Sequence, residues 1–193
     1  MSSQETEPGF QGSVSMRGRA PDTAPPSSGI DEPPANRILV AGAGNWLLAS
    51  DRIGPRVLEM AAQRYPNGVE LCDIGSTALS LLDSLRGQDL LIVIDACVGR
   101  GTPGEIFVIE PDLSASPGRG TSTHQIGPLE TLIIAQHLEP ASMPRRTLLI
   151  LVETGEFGAG DEEDACRRVI EILDREIELR RRQSGGVSHE RQS

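Results

Sequence analysis

Five large aliphatic residues in succession, Leu90-Leu91-Ile92-Val93-Ile94, end abruptly on Asp95. A run this short and this uniformly apolar reads as a strand buried on both faces, the central strand of a sheet covered by helices. Similar signals surround it. Ile38 to Ala41 is a short apolar run closed by Gly42-Ala43-Gly44, and Val69 to Cys72 and Leu148 to Val152 read as further strands. Ile53, Val57, Leu58 and Ala61 recur at helical spacing, with Pro55 tolerated in the first turn. Ala78, Leu81, Leu82 and Leu85 mark a second helix; Leu129, Leu132, Ile133 and Leu138 mark a third. The last helix has Asp161 to Asp164 at its start, Arg180 to Arg182 at its end and Ala165, Val169, Ile172, Leu173 and Ile177 on its apolar face, each charge at its favourable pole. Glu105 to Glu110 is read as a strand, and Gly99–Gly104 is too short for a helical crossover, so this strand is expected to run antiparallel to its predecessor. The order β-α-β-α-β-β-α-β-α predicts an α/β three-layer sandwich: a mostly parallel five-stranded sheet, one strand antiparallel, helices on both faces.

The chain's 193 residues favour one domain. Residues 1–36 hold six Pro, four Gly and six Ser, with Phe10 as their one aromatic residue. They are expected to be a disordered extension, because so little apolar surface cannot offset the entropy of ordering. Residues 37–183 are the expected domain, and 184–193 a loose tail. Lys+Arg 18 against Asp+Glu 28 leaves a net charge of -10, which repels nucleic-acid backbones and anionic lipid. No apolar run is long enough to span a membrane, and the first residues lack a signal-peptide pattern. Cys72, Cys97 and Cys166 are an odd set without CxxC spacing, which fits a reducing cytosol, with Cys72 and Cys97 expected to be buried.

Ligands of open α/β sheets sit beyond the carboxyl ends of the strands. There the sequence places Asp51 after Gly42-Ala43-Gly44-Asn45, Asp73 after the second strand, Asp95 at the end of the third, and His124 before the third helix. Taken singly, each has an ordinary reading: Asp51 as a helix-entry residue, Asp73 as a turn residue, His124 as a loop histidine, Asp95 as a cap on neighbouring amides. Their shared edge is what sets them apart. A dinucleotide site is disfavoured because the Gly-rich fingerprint lacks its third glycine, Leu47 standing in its place, and with it the expected close helix–strand approach.

Four segments, in order, resemble the hydrogenase maturation proteases. They are Gly42-Ala43-Gly44-Asn45 leading to Asp51, then Asp73-Ile74-Gly75-Ser76, then Ile94-Asp95-Ala96 with Pro103-Gly104 downstream, and Ser122-Thr123-His124-Gln125-Ile126-Gly127. The resemblance implies that Asp51, Asp95 and His124 bind a metal and that Asp73 serves cleavage or substrate recognition; the catalytic set is thus Asp73, Asp51 and Asp95. It implies an endopeptidase that removes a short C-terminal extension from the [NiFe] hydrogenase large-subunit precursor after nickel insertion, the nickel being presented by the substrate, with zinc or cadmium able to take the site in vitro. A cytoplasmic monomer is expected. Two carboxylates and an imidazole with open positions suit such a metal, and no HExxH helix points to an ordinary zinc protease. Arg52, Ile74 and Ser76 depart from the family pattern. Arg52 is expected to pair with Asp51 or to contact substrate. These departures motivate an alternative, a non-proteolytic module that binds a hydrogenase subunit on the same fold.

Overall fold

The computed structural model describes residues 37–114, 127–158 and 160–185. Leu90 to Ile94 form the buried heart of strand β3 (Leu90–Cys97). It lies between β1 (Ile38–Ala43) and β5 (Thr147–Glu153), parallel to both. β2 (Glu70–Gly75) extends the parallel set beside β1, and β4 (Ile106–Ile109) closes the other side antiparallel to β5, so the order is β2-β1-β3-β5-β4.

Alternation along each strand divides the core. Val40, Ile92, Ile94 and Ile150 pack against α1 (Ile53–Arg64) and α3 (Asp161–Gly185). Leu39, Ala41, Leu91, Val93 and Leu149 pack under Leu81 and the helix α2 (Pro128–Leu138). This is the expected three-layer arrangement, with helices on both faces.

One local expectation changes and two gain detail. The segment around Leu81 is a 3₁₀ helix, Leu79–Ser84, rather than an α-helix. Six residues are too few to sustain α-helix nucleation, and the tighter coil advances further per residue across the gap between β2 and β3. β4 runs opposite to β3 in direction but pairs with β5, because both edges of β3 are already taken by strands buried on two faces; the half-exposed β4 goes to the rim. α3 runs on through Ser184 and Gly185, two residues past Gln183.

The close helix–strand approach expected to be missing is present, made by a different pair of glycines. A Cβ on Gly54 would stand 2.2 Å from the Ala43 carbonyl oxygen, and one on Gly42 would stand 2.8 Å from the Gly54 backbone. Gly42 on β1 and Gly54 at the start of α1 therefore let the two backbones touch. The helix is drawn onto the sheet immediately after the loop that carries Asp51.

Candidate active site

The loop from Gly44 to Arg52 is tied to itself. The Asn45 amide donates to the Asp51 carbonyl (2.8 Å), the Leu48 amide to Asn45 (3.0 Å) and the Asp51 amide to Leu48 (2.9 Å). The Asn45 side chain accepts from the Leu47 amide at 2.9 Å. Gly44 has φ +132, and a Cβ there would lie 1.9 Å from the Asp51 carbonyl oxygen, so this turn requires glycine. The Thr154 hydroxyl donates to the Ser50 carbonyl at 2.6 Å, while the Thr154 amide donates to the Cys97 carbonyl at 2.9 Å. One buried threonine thus joins the Asp51 loop to the end of the strand that carries Asp95.

Asp95 continues the alternation of Leu91 and Val93, on the α2 side of the sheet, and stands in register with Leu151. Its carboxylate accepts from the Ala96 amide at 2.9 Å. Burial raises its pKa to about 6; the Ala96 amide opposes this, and the Asp51 and Glu130 carboxylates add to it. Burial also raises Asp51, against the Asn45 backbone. Asp51 and Asp95 line one cavity of about 270 Å³ together with Gly44, Ser76, Gly127 and Glu130.

Asp73 sits at the same sheet edge, in register with Gly42, and outside the walls of that cavity. Its exposed carboxylate accepts from the Gly75 amide at 2.9 Å, the geometry of a turn residue. His124 lies outside the described residues; Gly127 and Pro128, a few positions on, line the cavity. Among the described residues no three His, Cys, Asp or Glu side chains form a metal-holding group. A triad here requires His124 beside the two aspartates.

Glu130 was missed in the sequence because an acidic residue in a helix's first turn is already explained by the helix dipole. Glu153, at the end of β5, is a further one. It is buried, and its carboxylate accepts from the amides of Gly99 (3.1 Å), Arg100 (2.7 Å), Gly101 (3.3 Å) and Gly155 (3.0 Å). These bonds, led by that from Arg100, lower its pKa. They hold the loop that follows β3, and no sequence pattern announces a contact of that kind. Arg52 turns away from Asp51: its Nε donates to Glu162 Oε1 at 2.8 Å and its Nη2 pairs with the other oxygen. Cys72 and Cys97 are half-buried rather than buried, since Cys72 lies on the edge strand β2 and Cys97 ends β3; Cys166 is the buried thiol, and burial raises its pKa to about 11.

Fold and cavity together define an α/β protein with a carboxylate-walled site at the carboxyl edge of a mixed sheet. The hydrogenase maturation protease family model matches residues 55–165, and the chain belongs to that family. The hydrogenase 2 maturation protease of Escherichia coli K12 is 37% identical over 100 residues, which is 50% of this chain and 61% of that protein. The hydrogenase expression/formation protein HupD of Thiocapsa roseopersicina is 33% identical over 152 residues, covering 73% of this chain and 66% of the relative. The matched region therefore spans only about three-fifths of the first of these relatives. Among solved structures, the [NiFe] hydrogenase maturation protease HycI of Thermococcus kodakarensis KOD1 has a TM-score of 0.60 at 25% identity, covering 74% of this chain and 92% of that one. The maturating endopeptidase HybD of E. coli has a TM-score of 0.54 at 26% identity, over 72% and 93% of the two chains.

Proposed function

We propose that this chain is an endopeptidase that trims a short C-terminal extension from the large-subunit precursor of a [NiFe] hydrogenase once nickel has been inserted. The observation that carries the reading is the shared cavity of Asp51, from the loop after β1, and Asp95, from the end of β3, in a chain of the maturation protease family. Asp51, Asp95 and His124 are assigned as ligands to the nickel that the substrate brings, with zinc or cadmium as stand-ins in vitro. Two carboxylates and one imidazole suit a divalent ion that keeps open positions. Held by these residues, the nickel would supply Lewis-acid chemistry.

The chain's own contribution is to hold its ligands and the substrate. The Thr154 tie and the turn at Gly44 fix the Asp51 loop, and Asp95 is presented from the end of a rigid central strand. A precursor without nickel offers these residues nothing to grip, so metal loading acts as the checkpoint for cleavage. Asp73, exposed at the same edge, is assigned to the substrate chain, as general base or as positioning group. In Asp73→Asn, a fall in kcat marks the base and a rise in KM the positioning group. The working form is taken to be a cytoplasmic monomer. Three cysteines free of disulfides agree with a reducing compartment, and among the described residues no helix is long and apolar enough to cross a membrane.

The test is to incubate the purified chain with nickel-loaded and nickel-free precursor and weigh the products. Trimming of the loaded form alone is expected, with Asp95→Ala and His124→Ala folded but inactive. A stable complex with an intact precursor would instead indicate a binding module.

A further inference from the structure

The cavity at Asp51 and Asp95 does not end at Asp95. A second hollow, of about 450 Å³, shares Asp95, Ala96, Gly127, Pro128 and Glu130 with it and continues toward β4. Its character differs. Leu129, Leu149, Leu151 and Ile109 supply apolar walls, and Arg100, Glu110 and Asp112 are among its polar lining residues. The strand register explains the walls: Asp95 stands beside Leu151, and Leu149 stands between Val93 and Ile109, so one sheet face carries the Asp95 carboxylate and the apolar surface in sequence. Leu132 and Ala135 of α2 bury the part of this face nearer β1, whereas Ile109 and, at the start of α2, Leu129 each remain 37% exposed.

We infer that the two hollows form one trough for an extended peptide, and that its Leu129–Leu149–Leu151 end receives an aliphatic or aromatic side chain flanking the scissile bond. This inference rests on the protease reading above and adds a specificity-determining subsite to it. The occupant follows from continuity: a peptide bond held at Asp51 and Asp95 carries its neighbouring residues along the same trough, and the sheet floor next to Asp95 is Leu151 and Leu149. An acidic side chain there sets its charge against these leucines and among the Asp95, Glu110, Asp112 and Glu130 carboxylates. Losing the apolar contact alone is worth about ten- to a hundredfold in discrimination.

The test replaces each apolar residue near the junction of the loaded precursor by Asp, one at a time, and compares kcat/KM. One position is expected to lose at least about tenfold. The enzyme variant Leu129→Trp, at a half-exposed site, fills the trough; it is expected to cut the native precursor poorly and to regain activity on a precursor with Ala at the sensitive position. Cadmium binding should be unchanged in this variant, which separates a blocked trough from a damaged metal site. Cleavage within twofold for every Asp replacement, or native-rate cleavage by Leu129→Trp, overturns the subsite. If the wild-type chain trims no precursor, the protease reading fails by itself. The subsite is then decided by methyl NMR of the full chain titrated with a synthetic peptide copied from the precursor C-terminus: shifts at Ile109, Leu129, Leu149 and Leu151 support it, and their absence overturns it.

Discussion

Arg52 grips Glu162, a residue 110 positions further along the chain, and not its neighbour Asp51. The salt bridge ties the start of α1 to the first turn of α3. It removes the one cation adjacent in sequence to an expected metal ligand, so the departure of Arg52 from the family pattern leaves the carboxylate of Asp51 to the cavity. Arg52→Ala should therefore leave cadmium or nickel affinity within about twofold, as measured by calorimetry; the lost bridge is half-exposed and contributes little to stability. A tenfold gain in affinity would mean that the guanidinium does compete for Asp51.

Asp95 gives a pH-dependent stability whose sign can be worked out. Its pKa rises from 3.8 to about 6 on folding, so the native chain holds this proton more tightly than the unfolded one. The stabilisation is complete below 3.8 and disappears as the pH rises through 6. Asp95→Asn mimics the protonated carboxyl and keeps an acceptor for the Ala96 amide. In metal-free protein it should be more stable than wild type at pH 7.5 by about 1–3 kcal/mol, and equal to it near pH 3.5. Denaturant melts at the two pH values check this; a difference independent of pH would contradict it.

Thr154 is the link whose removal should separate stability from geometry. Thr154→Val preserves shape and loses the hydroxyl bond to Ser50. The expected cost is about 1 kcal/mol from the unpaired, partly buried carbonyl. Hydrogen exchange should quicken in residues 45–51 while the strands keep their protection, and cadmium affinity should fall because the Asp51 loop is no longer registered to β3. Unchanged exchange in that loop would assign the threonine to packing alone.

Gly54→Ala tests the backbone contact between α1 and β1. The added methyl meets a carbonyl oxygen at 2.2 Å, and that oxygen belongs to a buried strand with no room to retreat. A loss of about 2–4 kcal/mol is expected in a urea melt, well beyond a surface Gly-to-Ala change.

Much of this protein was legible in one dimension. Uninterrupted aliphatic runs such as Leu90 to Ile94 have one economical burial, and the period of Ala165, Val169 and Leu173 has one helical face, so the layers and the edge bearing Asp51, Asp73 and Asp95 follow from local pattern. Contacts between distant residues carry no such period. That β4 pairs with β5, that Gly54 meets Ala43, that Arg52 chooses Glu162, that Thr154 and Glu153 organise the loops, and that Glu130 enters the wall of the cavity were decided only in the tertiary structure. There, hydrogen-bond partners and close approaches depend on which backbones the assembled sheet brings within a few ångströms of one another.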